Sequence, residues 1–142
     1  MRPNSILMFE RLFLASLAGS LLGTVLTFDE VVNSVGADPA LRNVGLGGGF
    51  VVGVMVVSFA VYLLLWYLIA HKASNVAKWI LVVFIAIGVI MAVPSLAGPF
   101  GAMQYLGLAI YALQVAAVVF LFRADAAAWF NGDRPAGAAT FD

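Results

Sequence analysis

From Trp79 to Phe122 the chain runs without a single charged residue. A segment of that length is about twice what one helix needs to cross the ~30 Å hydrocarbon core, for which roughly 20 residues suffice. Two more charge-free runs precede it, Leu12 to Phe28 and Gly45 to Ala70. A chain of 142 residues has too little other material to cover all three from water, so the sequence implies lipid as its solvent. Composition agrees: 64% of residues are hydrophobic, 10% are charged and the mean hydropathy is +1.08, outside the range of soluble domains.

The longest run needs a divider, and Pro94 and Pro99 supply it. In Pro94-Ser-Leu-Ala-Gly-Pro-Phe-Gly101 two residues cannot continue a helix and two glycines favour a turn. Four helices result, at about residues 5–28, 45–70, 75–93 and 101–122. The fold class expected is all-α, an integral membrane four-helix bundle formed by residues 1–130, with 131–142 as a flexible cytoplasmic tail after Asn131-Gly132. None of the runs alternates polar and apolar residues as barrel strands do. Start signals fit this division. Asn4-Ser5 follows Pro3, Ser74-Asn75 precedes the third run, and Asp38-Pro39 pairs an N-cap type with proline at a first helical position. The second helix therefore starts either near Pro39 or later, depending on whether Gly45, Gly47, Gly48 and Gly49 break it or pack it closely.

Orientation follows from the cations. Arg2, Arg11, Lys72, Lys78, Arg123 and Arg134 fall on one side, whereas the other carries only Arg42 beside Asp29, Glu30 and Asp38. The positive-inside rule places both termini in the cytoplasm, N-in and C-in. Trp66, Tyr67, Trp79 and Trp129 lie where amphipathic rings anchor at that interface. Glu10 in the first segment and the absence of a small-x-small cleavage site argue against a cleaved signal peptide.

Two polar stripes carry what chemistry the spans have. In "SLAGSLLGT" (residues 16–24) Ala15, Gly19 and Gly23 recur every four residues, with Ser16, Ser20, Thr24 and Thr27 on the neighbouring flank. Apolar collapse cannot join helices in lipid, so close backbone approach and hydroxyl bonds of ~0.6–2 kcal/mol each must do so. This face reads first as a helix-packing seam and second as a ligand groove. Gly45, Gly49 and Gly53 repeat the spacing in the second helix and suggest a contact between the first two spans. In the fourth helix Gln104, Gly107, Tyr111 and Gln114 form another stripe, for which Ser58 and Tyr62 are partners on the second. The stripe reads as an interhelical hydrogen-bond cluster or a pocket for the polar end of a lipid, quinone or pigment.

Catalysis and coupled transport need titratable groups, and no span has one in its central portion. Glu10, beside Arg11 and about one and a half turns into the first helix, suits an interfacial ion pair better than a proton carrier. His71, the one histidine, reads as a solvated residue at the interface and provides no paired haem ligation. Cysteine is absent, which removes disulfides and thiolate chemistry. "GLGGGFVVG" has no lysine after it and is no phosphate loop. A formal charge of zero gives no reason to expect nucleic acid as a partner.

"RPNSILMFERLFLASL" and "VFLFRADAAAWF" resemble the two ends of small uncharacterised four-helix membrane proteins of bacteria. The resemblance implies a bacterial inner membrane and the same four-span layout, and it brings no activity or site residues with it. The function expected is that of a noncatalytic accessory or assembly subunit, or a homo-oligomer, without a cofactor or metal, whose partners are the bilayer and other transmembrane helices. The alternative is a binder or carrier of a small hydrophobic molecule.

Overall fold

The structure, a computed structural model, describes residues 2–45, 47–98 and 100–132, and every regular element in it is helical. Helix α1 (Asn4–Ala37) is followed by a short α2 (Pro39–Asn43), then α3 (Gly48–Lys72) and α4 (Asn75–Ala92). A 3-10 turn (Val93–Ala97) leads to α5 (Ala102–Phe120), and α6 (Ala124–Asn131) ends the described chain. Four of these, α1, α3, α4 and α5, are long and apolar enough to cross a membrane.

The apolar runs fall on these helices, but several boundaries differ. Helix α1 runs well past Phe28, through Asp29 and Glu30 to Ala37. Its 34 residues rise about 51 Å, against ~30 Å of hydrocarbon. The polarity change at Asp29 does not end the helix, which stops only where Pro39 forces it. Asp38 does start a helix there, its Oδ1 accepting the Ala40 N–H at 2.8 Å, but α2 lasts one turn. Gly45 adopts a left-handed φ of +73° and Gly47 is extended, so the glycines break the chain and the second span begins at Gly48. Ser74 caps α4 by accepting the Ala77 N–H at 3.2 Å. The segment from Arg123 does not continue α5. Arg123 is extended, which frees α6 to turn back over the end of the molecule. Pro99, Arg134 and the tail 133–142 lie outside the described residues.

Helix α1 packs most extensively on α5 and next on α3; α3 meets α4, and α4 meets α5. The buried residues are unevenly spread. Ile6, Phe9, Phe13 and Leu17 of α1 meet Leu65 and Ile69 of α3, Leu81 and Ile85 of α4, and Ala117 of α5, all towards the end that carries the chain's N-terminus. Stacked Phe9 and Phe13, 5.4 Å apart, fill its centre. Towards the opposite end Val51 is the one buried hydrophobic residue among those described in the spans. The opposite half has large apolar side chains as well, Leu22, Leu26, Phe50, Val56 and Ile90 among them, but they are exposed, so the packed core is confined to the first half.

Candidate functional site

Leu17, Ser20 and Thr24 of α1, Ser58, Phe59 and Tyr62 of α3, and Gln114 of α5 line a cavity of about 120 Å³ at the margin of the core. The lining is uncharged and its surface is mostly apolar, with the polar groups of Ser20, Thr24, Ser58, Tyr62 and Gln114 set into it. Gln114 is only 7% exposed, and its amide has no hydrogen-bond partner among the described residues. Its amide lines the cavity, where its donors and its acceptor are free to bond a polar atom brought to them. Tyr62 is held in place by ring contacts with Phe13 at 6.2 Å and Phe84 at 6.3 Å.

The cavity explains the hydroxyl flank of α1. Ser16 Oγ donates to the Phe13 carbonyl at 2.7 Å and Thr27 Oγ1 to the Gly23 carbonyl at 2.9 Å, so both are satisfied within their own helix. Ser20 and Thr24, which have no such bond among the described residues, face the cavity instead. The glycines on the adjoining face meet α5. A Cβ placed on Gly19 would lie 3.2 Å from Ile110 Cγ1, and one on Gly23 would lie 3.6 Å from Leu106 Cδ2. Ala15 is exposed, because each four-residue step turns the face by about 40° and carries it off the seam. Gly45, Gly49 and Gly53 have nothing within 4 Å of an added Cβ. The contact between the first two spans therefore does not run glycine to glycine. The α1 glycines accept α5 side chains; in α3, Gly48 accepts Val32 of α1, at 3.3 Å from an added Cβ, whereas Gly49 and Gly53 face outward.

The stripe on α5 does not act as one unit. Gln104 and Gln114 are separated by about 15 Å of helix rise, too far to serve one pocket. Gln104 Oε1 accepts the Gly101 N–H at 2.9 Å and closes the start of α5. Tyr111 lies against α4, its ring 3.4 Å from where a Gly88 Cβ would stand, and Gly107 has no neighbour within that range of an added Cβ. Of the stripe, Gln114 is the member that lines the cavity with Ser58 and Tyr62. Ser20 and Thr24 complete the cavity, and their four-residue spacing in the first apolar run was the signal for them.

The end that holds the core is closed by a cluster the sequence did not announce. Asp125 of α6 accepts the Ser5 hydroxyl at 2.7 Å and the Ser5 N–H at 3.1 Å, satisfying a free donor at the start of α1. These two bonds, the hydroxyl's first, hold the Asp125 carboxyl below the usual carboxylate range. Trp129 Nε1 donates to the Ile69 carbonyl at 3.4 Å, and Ala126 is fully buried. Lys78 sits 4.7 Å from the Phe130 ring, 5.0 Å from Phe122 and 5.6 Å from Trp79. Glu10 pairs with Arg2 at 2.9 Å rather than with Arg11, since sequence neighbours on a helix point about 100° apart. His71 is exposed and stacks on Tyr67 at 5.0 Å.

Fold and site together define an all-helical protein with four helices able to cross a membrane and an uncharged cavity between three of them. No family model, curated protein or solved structure matches the chain.

Proposed function

We propose that the chain is a noncatalytic subunit of a membrane assembly, spanning the bacterial inner membrane four times as a helical bundle with both termini in the cytoplasm. Its open half packs against another transmembrane helix, from a second copy or from a larger complex. The observation that carries this reading is the outer face of α3. Gly49 and Gly53 lie one turn apart with nothing over them, and a hollow of about 340 Å³ opens there, lined by Phe50, Gly53, Val54, Val57 and Ser58.

In lipid, two glycines one turn apart let a second backbone approach closely enough for dispersion and weak hydrogen bonds to hold it. The large apolar side chains beside them, Phe50, Val54 and Val57, are exposed, and an incoming helix would cover them. The orientation rests on the six cations at one side. Extraction from native membranes in a mild detergent, followed by mass spectrometry of intact particles, tests the reading. The expected result is the chain bound stoichiometrically to itself or to one other protein. A solitary chain carrying only lipid is the result that refutes it.

A further inference from the structure

The geometry points to the Gln114 cavity as the binding site for the polar end of a neutral lipophile, a long apolar molecule ending in one hydroxyl or carbonyl group. The inference does not depend on any protein partner.

Three observations carry it. First, Gln114 is buried and unpartnered among the described residues, and it shares the cavity with Ser20, Thr24, Ser58 and Tyr62, so donors and acceptors converge on one space. Second, at about 120 Å³ the cavity is well below the ~300 Å³ of the smallest ordinary ligand pockets, so it admits a compact end group and no whole ligand. Third, an apolar crevice of about 470 Å³ between α1 and α3 adjoins it through Thr24 and Phe59, which line both. Leu21, Met55, Ala60 and Leu63 are among the walls of that crevice, whose lining exposes no polar surface. An apolar chain lying in the crevice would pass Thr24 and deliver its end group to the Gln114 amide.

Charge sets the ligand class. No lining residue of either space is charged; the cavity lies on the central parts of the apolar runs of α1 and α3, and the crevice runs from there to Phe28, the last residue before Asp29. A phosphate or carboxylate brought there would be desolvated without a counter-ion, at a cost far above what a few neutral hydrogen bonds return. A hydroxyl or carbonyl needs only one or two such bonds, which the amide and the phenol or hydroxyls can provide. Phospholipid headgroups and fatty acids are thereby disfavoured.

The test is photolabelling of the full-length protein in lipid nanodiscs. The probe is a long-chain primary alcohol with a diazirine beside its hydroxyl, and two comparison probes are the matching hydrocarbon and a phosphatidylcholine with a diazirine in its acyl chain. The expected result is saturable labelling by the alcohol on peptides that line the cavity, displaced by unlabelled alcohol. Gln114→Leu should cut that labelling about tenfold, the scale of one lost hydrogen bond in lipid. It should also leave thermal stability unchanged or raised, because it removes an unpaired amide. Ala60→Phe, which blocks the crevice from a lipid-exposed position, should cut it similarly with Gln114 intact. Non-saturable labelling, as from a cavity holding water only, overturns the inference. So does labelling equal in wild type and both variants, or equally strong labelling of the cavity by the hydrocarbon or the phospholipid.

Discussion

Asp125 and Ser5, 120 positions apart, are joined by two hydrogen bonds that clip α6 across the start of α1. A carboxylate at a helix N-terminus also meets the positive end of the helix dipole. Because the folded carboxyl titrates below its ordinary value, the clip contributes stability that is fully present above the unfolded carboxylate pKa, about 3.9. That contribution is lost as pH falls through the lower, folded pKa. The protection of α6 amides, exchange measured against the intrinsic rate at each pH, should therefore be constant from neutral pH down to about 5 and fall only below about 4. Asp125→Asn should lower the protection of α6 to a level independent of pH and abolish the acid step, the Trp129 and Ala126 contacts remaining. Protection that falls already near pH 6 would show that another group holds α6 down.

The seam between α1 and α5 makes a graded prediction. Gly19→Leu, where even a Cβ sits 3.2 Å from Ile110, should destabilise by about 1–3 kcal/mol, as overpacked contacts do. Gly23→Leu, with 3.6 Å to Leu106, should cost less, and Gly49→Leu and Gly53→Leu, in open space, should leave the isolated chain's thermal stability intact. A uniform loss across all four would mean that the glycines matter through helix backbone effects and not through what they touch.

How far the sequence disclosed this arrangement depends on what each feature encodes. Runs without charge located the spans because hydropathy reports the solvent directly, and Ser74 and Pro39 marked helix starts through local bonds that need no tertiary partner. The end of α1 was misplaced because loss of hydropathy at Asp29 changes the side chains' preference for solvent and does nothing to the backbone hydrogen bonds of the helix. The partner of the α1 glycines was illegible, since spacing shows that a face is thin but leaves open which helix occupies it. Gln104 was grouped with Gln114 by face alone. Its position three residues after Gly101 was a capping signal available in the sequence. The Ser5 clip needed the turn at Arg123, which no proline or glycine announced.

Topology gives a third prediction. Reporters fused at either terminus should read cytoplasmic, because Arg2, Arg11, Lys72, Lys78 and Arg123 lie at the helix ends on the side of the termini. The chain has no native cysteine, so a cysteine replacing Gly98, which is exposed after the 3-10 turn, is the only thiol present and should react with impermeant maleimide added outside the cell. Reaction only after the membrane is opened would invert the orientation.

The most direct measurement of the assembly account is site-specific cross-linking in native membranes. A photoreactive maleimide attached to a single cysteine at Gly53, over the uncovered hollow of α3, should capture a protein, either a second copy or one defined partner. The same reagent on a cysteine at Val83, an exposed position of α4, should capture lipid alone. Protein capture at Gly53 and not at Val83 is the result this account predicts; lipid alone at both positions would contradict it.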